Sequence, residues 1–257
     1  MEAVVNTSYN MELVVLSYAI SMIGAFMALV SARRLVPENY DPQTYKLALF
    51  SSGIALGGIG VWSMHFIAML AVRMDMGVGY SVWETGISLI AAIAISALAF
   101  HIVARDPRSV PRLLTAGAML GMGAVIMHYL GMYGMRFGGY FQWDYGRIAI
   151  SVLIALVAAT AALWLAFNTT QTSVRLIAAA IMAIAVCTMH YTGMSAAEFI
   201  CTAPVEKRLA IPAGTGVISA LGLPVVVVAL AFGMSLYLIL DMVRAWFHQQ
   251  DTKPLHG

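Results

Sequence analysis

Seven stretches of this chain are each apolar over about 20 residues or more, the length a helix needs to cross a hydrocarbon core. They cover residues 13–32, 47–72, 82–104, 113–135, 148–167, 176–197 and 216–240. Stretches of this kind leave few options. In lipid every backbone N–H and C=O must find its partner within the protein, so long, evenly apolar segments span as helices. The composition agrees: 61% of the 257 residues are hydrophobic and 10% charged, with a mean hydropathy of +0.85, against about a quarter charged in soluble domains. The expected fold class is an all-α membrane protein with seven transmembrane helices, and its first partner is the lipid bilayer. Most prolines fall between the stretches, at Pro37, Pro42, Pro107, Pro111, Pro204 and Pro212. Pro224 stands near the start of the last stretch, where a helix tolerates it. The first stretch is not a cleavable signal peptide, because Arg33 and Arg34 follow it rather than precede it. A net charge of +2 argues against a nucleic-acid partner. Two cysteines are too few for a disulfide framework.

Lysine and arginine counts orient the chain. One set of loops and ends holds Arg33, Arg34, Lys46, Arg105, Arg108, Arg112, Arg175, Arg244 and Lys253; the other holds Arg73, Arg136, Arg147, Lys207 and Arg208. The richer side is expected in the cytoplasm. This puts residues 1–12 outside, a loop at 198–215 outside, the seventh helix within 216–247 and a cytoplasmic tail at 248–257. Tyr80, Trp83, Tyr140, Trp143 and Tyr145 fall in the outer loops, where interfacial aromatics belong.

Three segments share one pattern, Met-His-aromatic-x-small-Met: Met64-His-Phe-Ile-Ala-Met69, Met127-His-Tyr-Leu-Gly-Met132 and Met189-His-Tyr-Thr-Gly-Met194. The histidines are spaced 128 − 65 = 63 and 190 − 128 = 62 residues apart, each interval one helical hairpin long. The chain therefore reads as three parallel two-helix repeats over 13–197 plus a seventh helix. The motifs fall on the second, fourth and sixth helices. Seven residues separate each histidine from the expected outer end of its helix. The three imidazoles then share one depth, roughly 10 Å below the outer boundary.

These residues resemble the MHYT domain, a bacterial integral-membrane sensor family, and Met189-His-Tyr-Thr192 spells its name. The first copy departs from the pattern, with Phe66 in place of tyrosine and Ala68 in place of glycine. The resemblance implies an inner-membrane sensor that binds copper near the outer face and senses oxygen, carbon monoxide or nitric oxide. It also implies coupling to cyclic-di-GMP enzymes or DNA-binding domains.

Helix geometry alone points to a site. His65/Met69, His128/Met132 and His190/Met194 are one turn apart on a shared face. Convergence of the three helices would stack three thioethers about 6 Å outward of three imidazoles. Met64, Met127 and Met189 point about 100° away, toward the flank of the site or a neighbouring helix. Thioethers are soft and select Cu(I), whereas zinc has little use for methionine. The expected cofactor is copper, as one or two ions, ahead of zinc. Gly131, Gly193 and Ala68 are expected to let helices approach closely. The competing explanation is that the histidines only hydrogen-bond between helices and the methionines only pack. Three ionisable groups at one membrane depth favour a functional site.

Other residues carry less. His101 reads as interfacial, and His248 and His256 lie in the tail. Cys187 reads as a small buried hydrophobe, unpaired with Cys201, and Asp241 and Arg244 as anchors at the inner end of helix seven. The leading function is a sensor, with no enzymatic motif in view. Only 257 − 240 = 17 residues follow the last stretch, so the signal is expected to leave through a partner or an output domain beyond it. The alternatives are Cu(I) transport and a haem-binding electron carrier. Transport would need ligands continuing inward, where glycine, alanine and aliphatic residues predominate. Haem would leave one histidine without a role.

Overall fold

A computed structural model describes residues 2–36, 41–212 and 214–251. Pro37, Lys253 and His256 lie outside the described residues, as does the side chain of His248. Among the described residues, seven helices are long and apolar enough to cross a membrane. They are α1 (Met11–Ala32), α2 (Pro42–Leu70), α3 (Val82–Ala104), α4 (Val110–Tyr133), α5 (Tyr145–Asn168), α6 (Thr172–Ser195) and α7 (Leu223–Asp251). Several begin at side-chain caps, which satisfy amides left free in the first turn. Asn10 accepts from the amides of Glu12 and Leu13, Asp41 from Gln43 and Thr44, and Asp144 from Gly146 and Arg147.

Among the described residues, eight short strands, absent from the all-α expectation, cap one end of the bundle: β1 (Ala3–Val4), β2 (Thr7–Tyr9), β3 (Val72–Met74), β4 (Val78–Ser81), β5 (Met135–Phe137), β6 (Gly139–Trp143), β7 (Ala197–Cys201) and β8 (Val217–Ser219). A strand before α1, α3 and α5 pairs antiparallel with the strand after α2, α4 and α6: β2 with β3, β4 with β5, β6 with β7. The strands β1 on β7 and β8 on β4 tie the pairs to the chain's first residues and to the approach to α7. Strand pairing also corrects four boundaries. Val72, Met135 and Ala197 belong to β3, β5 and β7 and not to the second, fourth and sixth helices, and α7 starts at Leu223 rather than 216, because 217–219 pairs with β4.

The second helix is the centre of the bundle. Burial covers 94% of its apolar window, against 17% for α7. It is α-helical over Pro42–Gly53 and Met64–Leu70, and π-helical over Ile54–Ser63, every residue of which is buried. Glycines allow this. A Cβ on Gly57 would strike the Ala92 carbonyl of α3, and one on Gly24 of α1 would strike the Gly60 backbone. The seventh helix packs against the π-helical segment, with Met234 Sδ seated on Gly58.

At the end away from the strands, Asp241 is 7% exposed. Its carboxylate pairs with Arg34 and accepts from Ser51 Oγ at 2.6 Å. It is therefore a buried tie between α2, α7 and the turn after α1, not an interfacial anchor. A carboxylate so little exposed needs such partners to offset its lost hydration.

Candidate metal centre

The three motif helices all end at the strand-capped end. Five residues separate each histidine from its helix end: 70 − 65, 133 − 128 and 195 − 190. The common depth expected from the sequence is present. It is about 7.5 Å at 1.5 Å per residue rather than 10, because the helices end earlier, where strands take over.

His65, His128 and His190 meet on one axis, all with 0% exposure. Their Nδ1 atoms are 3.1 Å apart for His65–His190 and His128–His190, and 3.2 Å for His65–His128. Each pair of rings is nearly perpendicular, with centroids 4.9–5.1 Å apart. Hydrogen bonds alone leave this arrangement unsatisfied. A neutral imidazole carries one N–H, so each Nδ1 is either donor or acceptor. Three of them facing one another leave at least one contact with lone pair against lone pair or proton against proton. The three Nε2 atoms are also buried without a partner. A cation shared by three Nδ1 lone pairs removes the conflict. Imidazole nitrogens bound to one ion at about 2.0–2.1 Å stand roughly 3.3–3.6 Å apart in tetrahedral or trigonal arrangements, close to the spacing found. The donor set fits a metal ion of borderline or soft character.

The six motif methionines are all within the protein, each at no more than 2% exposure: Met64, Met69, Met127, Met132, Met189 and Met194. Met69, Met132 and Met194 lie one turn beyond the histidines toward the strands. Met127 and those three pack in the main apolar core, and Met189 packs with Val125 and Ala155.

The motif glycines have a more specific role than close helix approach. A Cβ on Gly131 would collide with Nε2 of His65, and one on Gly193 with Nε2 of His128. Each glycine receives the imidazole of the preceding hairpin. The rings are thus held by packing where metal-bound histidines usually have a hydrogen-bond acceptor.

On the side of the trio away from the strands lies a cavity of about 40 Å³. Val61, Ala124 and Val186, each one turn before a motif histidine, line it with Met189 and alanines of α5. Its one hydroxyl, that of Ser21, is already bonded to the Gly60 carbonyl at 2.9 Å. Apolar cavities of this kind stay dry.

Sequence reasoning missed three serines. Ser17, Ser88 and Ser151, on α1, α3 and α5, are each fully buried. Tyr129 OH stands 2.8 Å from Ser151 Oγ, Tyr191 OH 3.2 Å from Ser17 Oγ, and Trp62 Nε1 donates to Ser88 Oγ at 3.1 Å. A signal was available: 151 − 88 = 63, the spacing of the first two motif histidines.

The remaining candidates stand apart. His101 Nδ1 is 2.6 Å from Tyr45 OH, at the far end of the bundle. Cys187 lines a separate open groove with Tyr18 and Tyr191, and neither it nor Cys201 is in a disulfide. Among the described residues, the histidine trio is the sole cluster of three or more His, Cys, Asp or Glu with metal-ligand spacing.

Residues 58–116 and 121–179 each match MHYT, described as a bacterial signalling protein N-terminal repeat. These segments include His65 and His128. The chain is 34% identical over 198 residues to the bifunctional diguanylate cyclase/cyclic di-GMP phosphodiesterase MucR of Pseudomonas aeruginosa, covering 75% of this chain and 28% of that protein. It is 32% identical over 216 residues to the cyclic di-GMP phosphodiesterase NbdA of the same organism, covering 82% and 26%. It is 30% identical over 202 residues to the signaling protein YkoW of Bacillus subtilis, covering 76% and 25%. The chain therefore spans about a quarter of the length of these curated relatives. No solved structure matches it.

Proposed function

Since the chain belongs to the MHYT family of membrane signalling proteins, we propose that it is a multi-pass sensor of the bacterial inner membrane whose histidine trio holds copper. The observation that carries this reading is the approach of three buried Nδ1 atoms to 3.1–3.2 Å, which no set of imidazole tautomers satisfies alone. His65, His128 and His190 would hold the ion, and Met69, Met132 and Met194 supply nearby sulfur. A copper ion there supplies a redox-active Lewis-acid centre. The chain's own residues keep that centre dry and present an apolar cavity of about 40 Å³ beside it. A space of that size suits a diatomic gas better than a larger ligand. The signal is a diatomic gas or copper itself. Residues lining the cavity offer only apolar side chains and one engaged serine, which favours sensing over onward transport.

In this reading the strand-capped end faces outward and α7 leads to the cytoplasm. The output is a cytoplasmic domain or partner, of the cyclic-di-GMP kind in the two named Pseudomonas relatives. The chain contributes the sensing step and no catalysis.

The test is metal analysis with an optical spectrum on the detergent-purified protein, before and after exposure to carbon monoxide or nitric oxide. Copper is expected, lost on replacing any one of the three histidines by alanine and retained in His101→Ala. Zinc or haem in its place, or equal loss from all four variants, overturns the proposal.

A further inference from the structure

We infer that the pairs Tyr129–Ser151, Tyr191–Ser17 and Trp62–Ser88 are positioning devices that set the rotation of the three motif helices, so that the three Nδ1 atoms meet. This deepens the reading above and rests on the trio holding a metal.

Each pair has one chemistry. The serine hydroxyl donates to the backbone carbonyl three residues earlier on its own helix: Ser151 to Ile148 at 2.8 Å, Ser17 to Val14 at 2.7 Å, Ser88 to Thr85 at 2.8 Å. With its proton committed, the serine oxygen is left as acceptor, so the phenols of Tyr129 and Tyr191 donate to it, as the indole N–H of Trp62 does. Every motif helix is thereby pinned to the first helix of another hairpin: Trp62 of α2 reaches α3, Tyr129 of α4 reaches α5 and Tyr191 of α6 reaches α1. The links run α2–α3, α4–α5 and α6–α1 and so close a ring around the trio.

The donor stands next to the ligand. Tyr129 and Tyr191 directly follow His128 and His190, so turning the tyrosine about the helix axis turns the imidazole with it. In the first motif that position is Phe66, which has no donor. Trp62 lies four residues earlier, on the same face one turn away, with its ring 4.8 Å from that of Phe66. The longer indole reaches the serine from there, sharing its N–H between Ser88 Oγ and the Thr85 carbonyl, each at 3.1 Å. A departure from the motif is thus matched by a different donor to the same kind of acceptor, which a tyrosine serving only as packing would not require. The pairs are buried or half-buried in the membrane-spanning segments, where no bulk water competes for the hydroxyls.

The experiment uses the full chain in detergent. Copper(I) affinity is read by competition with a chromophoric chelator, cobalt(II) serves as an optical probe of coordination geometry, and thermal unfolding is followed in parallel. Tyr129→Phe and Ser151→Ala should each weaken copper(I) binding about 10–100-fold, the range for groups that orient metal ligands, and shift the cobalt(II) bands. The double variant should bind no more weakly than the weaker single, since both remove one interaction. Ser151→Thr should restore affinity, Trp62→Phe should weaken it, and Phe66→Tyr should leave it unchanged because Ser88 is already engaged. Singles that unfold at lower temperature yet keep wild-type affinity and cobalt(II) spectrum overturn the inference, as does additive loss in the double variant. Wild-type protein that binds neither metal overturns the metal reading itself, and this inference with it.

Discussion

The most direct probe of the centre is one methyl group. Gly131→Ala adds a Cβ that, with the backbone in place, would overlap Nε2 of His65 and crowd Cδ2 and Cε1, at 2.9 and 3.2 Å. Ordinary contacts of this kind are about 3.5–4.0 Å, so the imidazole must retreat by roughly 1 Å or the helices must part. Metal–ligand distances vary by only about ±0.2 Å, so a ring displaced that far no longer coordinates. Overpacking a tight site costs about 1–3 kcal/mol. If the whole of it falls on metal binding, affinity drops by roughly 5- to 150-fold, at 1.4 kcal/mol per decade. The strain relaxes when His65 swings away, so fold stability without metal should change less than affinity does. Gly193→Ala should behave alike through His128, whose Cδ2 and Cε1 would also lie at 2.9 and 3.2 Å. Copper stoichiometry and affinity on purified variants, with thermal unfolding with and without metal, measure both quantities. Full affinity in Gly131→Ala refutes the reasoning, because it would mean that His65 does not need its observed place to bind.

Three further outcomes are expected. Changing Met69, Met132 and Met194 together to leucine should weaken Cu(I) binding strongly and zinc binding little, since thioethers serve the soft ion and the swap costs under about 1.5 kcal/mol per residue in packing; equal affinities for both ions before and after would make the methionines packing residues. Ala159→Val, which fills the cavity of about 40 Å³ beside the trio, should abolish the optical response to carbon monoxide or nitric oxide while copper content stays at the wild-type level; an unchanged response places gas access elsewhere. Asp241→Asn should destabilise the fold by about 3–5 kcal/mol in thermal unfolding, the cost of leaving one partner of a buried pair uncompensated; a loss below about 1 kcal/mol would mean that Arg34 finds solvent without it.

Much of the architecture was legible because hydropathy over 20 residues is a strong signal and spacing of 62–63 residues carries over directly to common depth. His65, His128 and His190 could be brought together from that alone. The strands could not. At two to five residues each they are too short for an alternating pattern, and they form only where the helix ends assemble. The glycine at the fifth motif position looked like an aid to helix approach, but its contact is an imidazole from another hairpin, a relation no single helix displays. Asp241 looked interfacial because it sits near the end of an apolar run; its burial depends on Arg34 and Ser51, more than 180 residues away in sequence. The π-helical turn pattern in Ile54–Ser63 left only a run of glycines as a trace, and glycines in membrane helices have many uses.

The departures from regularity gather on one helix, and their location bears on how a site of three like parts could send a signal in one direction. Phe66, Ala68, Trp62 and the π-helical segment all belong to α2. That helix is the one on which α7 packs, through Met234 at Gly58 and through Asp241 with Ser51. A π-helical segment is wound wider than an α-helix, packs more residues into each unit of length and is rarely extended; here it is packed closely on α1, α3 and α7. Histidines 128 and 190 sit on plain α-helices with no such segment beneath them. A shift of His65 along or about its axis therefore meets the least regular stretch of backbone in the bundle, directly against the helix that leaves it. Along the spanning part of the bundle, α2 makes the main contacts with α7, so shifts of the other two histidines reach it chiefly through α2. In the proposed reading, the asymmetry of the first hairpin would connect the histidine trio to the seventh helix, and a variant that restored regular α-helix in α2 would sever that connection while leaving the trio's three side chains in the chain.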